Sequence, residues 1–188
     1  DGWVKVRVPE TPTIMMEAFR KDPMANPLDT PSGMIEIFLE TIAGFGYEDC
    51  PGHPAWIEPV EWLGRAEPSQ LHLISNQPRN RLHSQFDHGS VSRAGRPKDV
   101  EPVTMHPDDA ATRGLKEGQI VRIHNARGAC LAELILSDAI RPRVIQIATG
   151  AWLDLNGPTC QHGNPNTLTI DKGTSRLAQG PIAHSCLV

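Results

Sequence analysis

The chain has 188 residues, enough for one sizeable hydrophobic core or two small domains. Hydrophobic residues make up 39 %, and 17 Pro with 16 Gly favour a loop-rich β protein over a helical bundle. The net charge of −4 comes from well-mixed charges without a basic tract, and no apolar run approaches the roughly 18 residues of a membrane span, so neither a nucleic-acid partner nor a membrane-spanning segment is expected.

The first third of the chain has little periodic apolar sequence. Residues 4–8 alternate and predict a short strand that stops at Pro9. Residues 14–21 predict a short helix, and residues 34–39 predict a strand introduced by the turn sequence TPSG. We therefore expect this part to pack on another part of the protein and not to hold a strong core of its own.

From residue 70 onward, short strand-like runs alternate with turn signals. A helix is predicted to start at His106, because Pro suits the first turn and acidic groups there favour the helix dipole, and to end at Gly114. The sequence NARG at 125–128 predicts a hairpin. Strands are predicted at 71–74, 102–105, 119–124, 129–136, 143–148 and 186–188. Short strands with brief helices favour a small closed barrel, a mainly β fold.

A polar loop follows the strand at 71–74. Eight of its ten side chains at 76–85 are strong hydrogen-bonding groups, and Pro78 interrupts any helix there. Amide and guanidinium groups pair well with heterocycle edges, carboxylates and phosphates, so the residue types suit a recognition surface for a large, phosphorylated ligand and an ordinary polar turn equally well. Arg79 and Arg81 alternate, so we expect one to meet the ligand and the other to meet solvent or a carboxylate.

The four cysteines are widely spaced and form no CxxC pair, so a disulfide framework is not expected. The sequences CPGH at 50–53 and CQH at 160–162 contain residue types that bind zinc. Their spacings differ and neither is a standard zinc knuckle. Buried or surface thiols are the favoured interpretation.

Several segments together resemble one family. The sequences LISNQPRNRLHSQ, HPDDAATRGLKEGQIVRIHNARG and GNPNTLTIDKGTSRLAQ are similar, in this order, to molybdopterin oxidoreductases of the dimethyl sulfoxide reductase family. The upstream sequences TPSGMIEIF and AGFGYEDCPGH resemble the S- and N-oxide reductase branch, which includes biotin sulfoxide and trimethylamine-N-oxide reductases. The resemblance covers nearly the whole chain.

The resemblance implies a domain organisation. Residues 68–188 would form a molybdopterin dinucleotide-binding domain, a six-stranded double-psi β-barrel with short helices, and residues 1–67 the tail of a preceding domain plus a linker. The implied cofactor is bis(molybdopterin guanine dinucleotide) with molybdenum, shared with other domains. The protein ligand to the metal, a serine in this branch, is expected outside this chain, so no residue here is assigned as catalytic.

The resemblance also assigns cofactor contacts. Many relatives carry His where this chain has Gln77, and residue types vary among relatives at the C-terminal pair, so these contacts are expected to differ in chemistry. Amide and imidazole groups suit a pterin, and Arg81 with loop N–H groups suits a diphosphate. The Trp residues are expected to be packing anchors, although Trp152 lies in a loop that could reach the cofactor. The implied cofactor-binding residues are Ser75, Asn76, Gln77, Pro78, Arg81, His83, Ser84, Gln85, Asn166, Ala183 and His184.

The implied activity is reduction of a small S-oxide or N-oxide by a bacterial molybdenum enzyme. Its partners would be the remaining domains of the same polypeptide and the oxide substrate, and this chain alone is expected to be inactive. The chain opens DGWVKVRVP, without Met or a signal peptide, so we expect a piece of a longer protein and assign no compartment. The alternative is a stand-alone double-psi barrel acting as a non-catalytic binding or adaptor module.

Overall fold

The computed structural model describes residues 2–8, 11–96, 98–178, 180, 182 and 184–188. The chain divides into two compact units, Asp1–Trp56 and Ile57–Val188. The expected domain division at 67/68 stays a prediction.

The first unit contains two short helices, α1 (Glu17–Lys21) and α2 (Glu40–Ala43). Helix α1 confirms the second half of the helix predicted at 14–21. The strands predicted at 4–8 and 34–39 are wrong, because neither range forms a strand. The three valines of 4–8 are 78 to 85 % exposed. Alternation alone does not make a strand, since its N–H and C=O groups need a hydrogen-bonded neighbour, and the described residues provide none there.

The second unit is built on one mixed sheet, and a mainly β fold with few short helices is confirmed. Its described strands pair in the order β6-β7-β4-β2-β5-β1-β8, with β3 paired to β4. The strands are β1 (His72–Ile74), β2 (Pro102–Met105), β3 (Ile120–His124), β4 (Ala129–Leu136), β5 (Val144–Ile147), β6 (Leu155–Asn156), β7 (Thr159–Cys160) and β8 (Ser185–Leu187). All six predicted strands of this unit match observed strands to within one residue at each end, whereas the two-residue strands β6 and β7 were not predicted.

The pairing of β1 determines which loops meet. Strand β1 runs parallel to β5, with His72 opposite Val144, and antiparallel to β8, with Ile74 opposite Ser185. Parallel strands have their carboxyl ends at the same edge of a sheet. The segments that follow β1 and β5 and the segment that precedes β8 therefore lie together at one edge, which we call the β1 edge.

The core lies on one face of this sheet. Alternate side chains of the strands are buried, including Val103 on β2, Leu134 on β4 and Ile145 on β5. Each fully buried aliphatic side chain contributes about 1.5–3 kcal/mol relative to an exposed one. This apolar burial holds the sheet together.

Three free cysteines belong to this core. Cys130, Cys160 and Cys186 are fully buried. Burial raises the pKa of Cys130 to about 12 and that of Cys186 to about 11, so both stay protonated at neutral pH and act as small hydrophobic side chains. The described residues contain no group of three or more His, Cys, Asp and Glu side chains arranged to hold a metal ion.

Two short helices accompany the sheet, α3 (Ser90–Ala94) and α4 (Pro107–Thr112). The predicted start of α4 is confirmed, because His106 Nδ1 accepts a hydrogen bond of 3.2 Å from the Asp108 N–H. Its predicted end is confirmed as well, since Gly114 has φ +66°. The two 3-10 turns are Leu63–Arg65 and Pro165–Thr167. Within the described residues, no helix combines the length and the apolarity needed to cross a membrane.

Candidate cofactor-binding site

Backbone hydrogen bonds join the three segments that meet at the β1 edge. The Ser75 N–H donates to the His184 carbonyl at 2.8 Å, and the Thr149 N–H donates to the Asn76 carbonyl at 2.9 Å. Ser75 is buried, and its Oγ has no hydrogen-bond partner among the described residues, whereas Asn76 and His184 are exposed. The predicted cofactor residue His184 thus lies next to Ser75 and Asn76, although it is far from them in the sequence.

The polar loop 76–85 folds back on itself through Gln77 and His83. The Gln77 amide nitrogen lies 3.0 Å from His83 Nδ1, and the His83 N–H donates to the Gln77 side-chain oxygen at 3.2 Å. His83 has φ +49°, in the left-handed region that non-glycine residues rarely adopt. An amide carries both a donor and an acceptor, so Gln77 can satisfy the ring and the backbone of His83 at once.

The segment after β5 packs directly against this loop. Gly150 has φ +92°, and a Cβ atom there would overlap with the carbonyl oxygen of His83. The Trp152 indole N–H donates to the Ser84 carbonyl at 2.9 Å. Only glycine permits this approach, and the indole bond then fixes the two segments against each other.

A cavity of about 400 Å³ lies beside this contact, and we call it the His83 cavity. Three predicted cofactor residues, His83, Ser84 and Asn166, line it. Asn164 places Asn166 there, because its side-chain oxygen accepts a bond of 2.9 Å from the Asn166 N–H and its amide donates to the Ala151 carbonyl at 2.8 Å. The remaining lining residues are Thr149, Gly150, Ala151, Trp152, Leu153 and Asn164.

A second cavity of about 220 Å³ lies on the side of the loop lined by Asn76 and Pro78, and we call it the Arg79 cavity. Arg79 lines it and is exposed. Ser92 also lines it, and the buried Ser92 Oγ has no hydrogen-bond partner within the part of the chain that the structure describes. The remaining lining residues are Asn80, Arg81, Gly95, Arg96, Glu101, Pro102, Thr104, Gln146 and Ala148.

The guanidinium group of Arg81 is buried among acceptors of the protein itself. Its Nη2 donates to Glu101 Oε1 at 2.8 Å and to the Thr149 carbonyl at 3.1 Å, and its Nε lies 3.3 Å from Asp87 Oδ1. Arg79 and Arg81 thus have different surroundings, with Arg81 meeting carboxylates. The contact of Arg81 with a diphosphate stays a prediction.

Burial raises the pKa of Glu101, and the positive charges of Arg81 and Arg96 partly offset that effect. Arg96 completes the arrangement, with its Nη1 3.1 Å from Glu101 Oε1 and 2.9 Å from Asp87 Oδ1. Two cations therefore face two carboxylates in the interior.

Gln85, a further predicted residue, lies at the margin of this arrangement. Gln85 is exposed in the turn that closes the loop, where its N–H donates to the Leu82 carbonyl at 2.9 Å. Ala183 lies outside the described residues.

Sequence reasoning missed the contributions of Gly150, Asn164, Asp87, Arg96 and Glu101. Gly150 follows β5, and the parallel pairing of β5 with β1 brings it to the polar loop. One sequence signal could have found Gly150. It comes shortly after the strand predicted at 143–148, and a Gly at such a position often marks a bulge or a close approach of another backbone segment.

The family comparison covers most of the second unit. Residues 71–187 match the model of the "Molydopterin dinucleotide binding domain" family. A solved structure, the acetylene hydratase from Pelobacter acetylenicus, has a similar fold with a TM-score of 0.61 and 20 % sequence identity, over 78 % of this chain and 21 % of that chain.

Curated relatives match the chain over nearly its whole length. Biotin sulfoxide reductase of Cereibacter sphaeroides is 51 % identical over 92 % of this chain and 24 % of its own length. Trimethylamine-N-oxide reductases are 45 % identical in Haemophilus influenzae, over 90 % of this chain and 22 % of the relative, and 47 % identical in Escherichia coli K12, over 92 % of this chain and 21 % of the relative. The chain thus spans less than a quarter of the length of these relatives. By the match over residues 71–187, it belongs to the molybdopterin dinucleotide-binding domain family.

Proposed function

We propose that this chain is the cofactor-binding part of a molybdenum enzyme that reduces S-oxides or N-oxides, and that it binds bis(molybdopterin guanine dinucleotide). The observation that carries the proposal is that three predicted cofactor residues line the His83 cavity. His83 and Ser84 come from the polar loop, and Asn166 lies more than 80 residues further along the chain. The names of the curated relatives support the reaction class.

The chemistry of the β1 edge fits such a cofactor. Pterin and guanine rings carry paired donors and acceptors, which the side chains of Asn76 and Asn166 and the imidazole of His83 complement. The exposed guanidinium of Arg79, which lines the Arg79 cavity, would attract phosphate groups. The buried Ser75 Oγ, which has no partner among the described residues, would be available to a ligand. When bound, the cofactor would supply the redox chemistry of molybdenum, and the chain would supply binding and orientation.

The full set of proposed contacts follows the resemblance. It includes Ser75, Asn76, Gln77, Pro78, Arg81, His83, Ser84, Gln85, Asn166, Ala183 and His184. We infer further that residues 68–188 form a six-stranded double-psi β-barrel and that residues 1–67 are the tail of a preceding domain plus a linker. The mixed pairing of β1, parallel on one side and antiparallel on the other, is consistent with such a barrel.

The remainder of the same polypeptide would complete the enzyme. The chain accounts for 21 to 24 % of the length of the relatives cited above. Other parts of the polypeptide would provide the ligand to molybdenum and most of the substrate site, so this chain alone would not turn over an oxide. An assay with reduced viologen and trimethylamine N-oxide or biotin sulfoxide tests this expectation, and turnover by the 188-residue chain alone would contradict it.

Cofactor content tests the proposed contacts. We expect His83→Ala and Asn166→Ala in the full-length protein each to weaken cofactor binding by about 1–3 kcal/mol, as for loss of a buried or charge-assisted hydrogen bond. Molybdenum is measured by mass spectrometry, and guanine nucleotide is measured after acid release. Asn156→Ala, an exposed amide on β6, is the matched control. Full molybdenum content in both site variants contradicts the assigned contacts, and a wild-type protein without molybdenum contradicts the function itself.

A further inference from the structure

Four buried charged side chains tie the polar loop to the sheet: Arg81, Asp87, Arg96 and Glu101, which we call the charge quartet. Their side chains are only 1 to 4 % exposed. Each carboxylate lies within ion-pair distance of both guanidinium groups, at 2.8 to 3.3 Å. Two positive and two negative charges give a neutral cluster, which offsets the large cost of burying each charge alone.

The quartet holds a segment that buries no large apolar side chain among its described residues. In residues 82–99, the buried residues that the structure describes are Asp87, Ser92 and Arg96, all of them polar. The large apolar side chains of this segment point outward, with Leu82 58 %, Phe86 80 % and Val91 66 % exposed. Apolar burial therefore cannot fix this segment on the sheet.

The two ends of the quartet are attached to rigid structure. The Glu101 N–H donates to the His162 carbonyl at 3.1 Å, and the Glu101 carbonyl accepts from Glu133 on β4 at 3.0 Å. On the other side, Asp87 Oδ2 accepts a bond of 3.1 Å from the Trp152 N–H. Arg96 also donates to the Asp87 carbonyl. The cluster thus connects the sheet, the 82–99 segment and the loop after β5.

We propose that the charge quartet is an electrostatic clasp that positions His83, Ser84 and Gln85 at the β1 edge, so that Asp87, Arg96 and Glu101 are positioning residues of the cofactor site. The clasp acts on the segment and not on the stability of the sheet. Removing one member leaves a buried, uncompensated charge, which frees the segment. Removing one cation together with one anion restores neutrality. The inference rests on the proposed function only for the identity of the ligand that the positioned residues meet.

Hydrogen exchange of the full-length protein, with and without cofactor, tests the clasp. Peptides from residues 82–96 report the segment, and peptides from β4 report the sheet. In Asp87→Asn and in Glu101→Gln, we expect exchange in 82–96 to be faster by about tenfold or more, with β4 unchanged. Arg93→Gln is the matched control, because it neutralises an exposed charge of α3 in the same segment.

Charge balance distinguishes a clasp from any other structural role. The double variant Asp87→Asn/Arg96→Gln restores a neutral cluster, so we expect slower exchange in 82–96 than in Asp87→Asn alone. Molybdenum content is expected to follow the same order. The clasp is overturned if the 82–96 peptides of the double variant exchange faster than those of Asp87→Asn alone. It is also overturned if exchange is unchanged in both Asp87→Asn and Glu101→Gln.

Loss of β4 protection in both single variants also overturns it, because the cluster would then support the sheet as a whole. The cofactor-free measurement does not depend on the proposed function. If the wild-type protein contains no molybdenum while the 82–96 peptides lose protection in Asp87→Asn, the proposed function is contradicted and the clasp is still supported.

Discussion

The strands of the sheet and the 82–99 segment are fixed by opposite kinds of interior. Strands β2, β4 and β5 bury aliphatic side chains and cysteines, whereas the segment buries Asp87 and Arg96 and exposes its large apolar groups. The stabilisation from apolar burial scales roughly with the apolar area removed from water, while charge pairing depends on the presence of every partner. The predicted cofactor residues lie where the two kinds of interior meet.

This difference separates stability from positioning. The sheet supplies most of the free energy of folding, and the charge quartet supplies a defined position for the polar loop at a small net gain in stability. A loop held in this way can present polar groups to a ligand without competing for places in the hydrophobic core. The variants below test whether the two regions respond independently.

Truncation in the core has the largest expected effect. Leu134 on β4 is fully buried, so Leu134→Ala is expected to lower the free energy of unfolding by about 2–5 kcal/mol. Chemical denaturation measures this change. Hydrogen exchange should rise in β4 and in the 82–99 segment together, because both depend on the sheet. Leu153→Ala, at a side chain that is 57 % exposed, is the control with the same chemistry. A cost below about 1 kcal/mol for Leu134→Ala would mean that the sheet is not the main source of stability.

A smaller effect is expected where the loop and the segment after β5 touch. Gly150→Ala adds backbone strain of about 1–3 kcal/mol and a collision with the His83 carbonyl. Gly157→Ala is a matched control, because Gly157 also has a positive φ of +60° but has no atom within 4 Å of the added Cβ. Denaturation and hydrogen exchange of residues 82–85 are the measurements. If the two variants lower the free energy of unfolding equally, the close approach of Gly150 to His83 does not contribute to stability.

The smallest expected effect depends on pH. Glu61 accepts two bonds from Arg127, at 2.6 and 2.7 Å, and one from the Leu187 N–H at 3.0 Å. The hydrogen bonds from the Arg127 guanidinium hold the pKa of Glu61 below its ordinary value near 4.5. A lowered pKa stabilises the folded state above that value, and the contribution disappears as the pH falls through the folded-state pKa.

We therefore expect Glu61→Gln to lower the free energy of unfolding by about 1 kcal/mol at pH 7 and to have little effect at acidic pH, where Glu61 is protonated in both states. Thermal unfolding between pH 3 and pH 7, approximately the range of carboxyl titration, measures the difference. Glu67→Gln removes an exposed carboxylate and is the control. A difference that stays constant with pH would mean that the charge of Glu61 does not contribute.

The predicted strand limits illustrate how far local sequence reaches. The limits of β4 were predicted to the residue, because a mainly apolar run of eight residues follows a hairpin signal. The alternating run VKVRV at 4–8 has the stronger strand propensity and forms no strand. The difference lies in pairing, since β4 has neighbours along both sides and residues 4–8 have none among the described residues.

The candidate site shows the same limit. The polar loop at 76–85 and Asn166 were predicted from residue types and resemblance, because those signals are local. The pairing of Arg81 with Asp87 and Glu101, and the approach of Gly150 to His83, join positions up to 67 residues apart. No local pattern specifies such contacts.

The sequence by itself determined the family, the mainly β class, the limits of most strands after residue 70 and the polar loop that presents the predicted contacts. Hydrophobic periodicity, turn residues and motif order are properties of neighbouring residues, so they can be read along the chain. The tertiary structure alone decided that three distant segments meet at the β1 edge and that Arg81 lies among carboxylates. Strand pairing and the burial of charge depend on the whole fold, because the cost of an interior charge is set by partners that the chain brings from elsewhere.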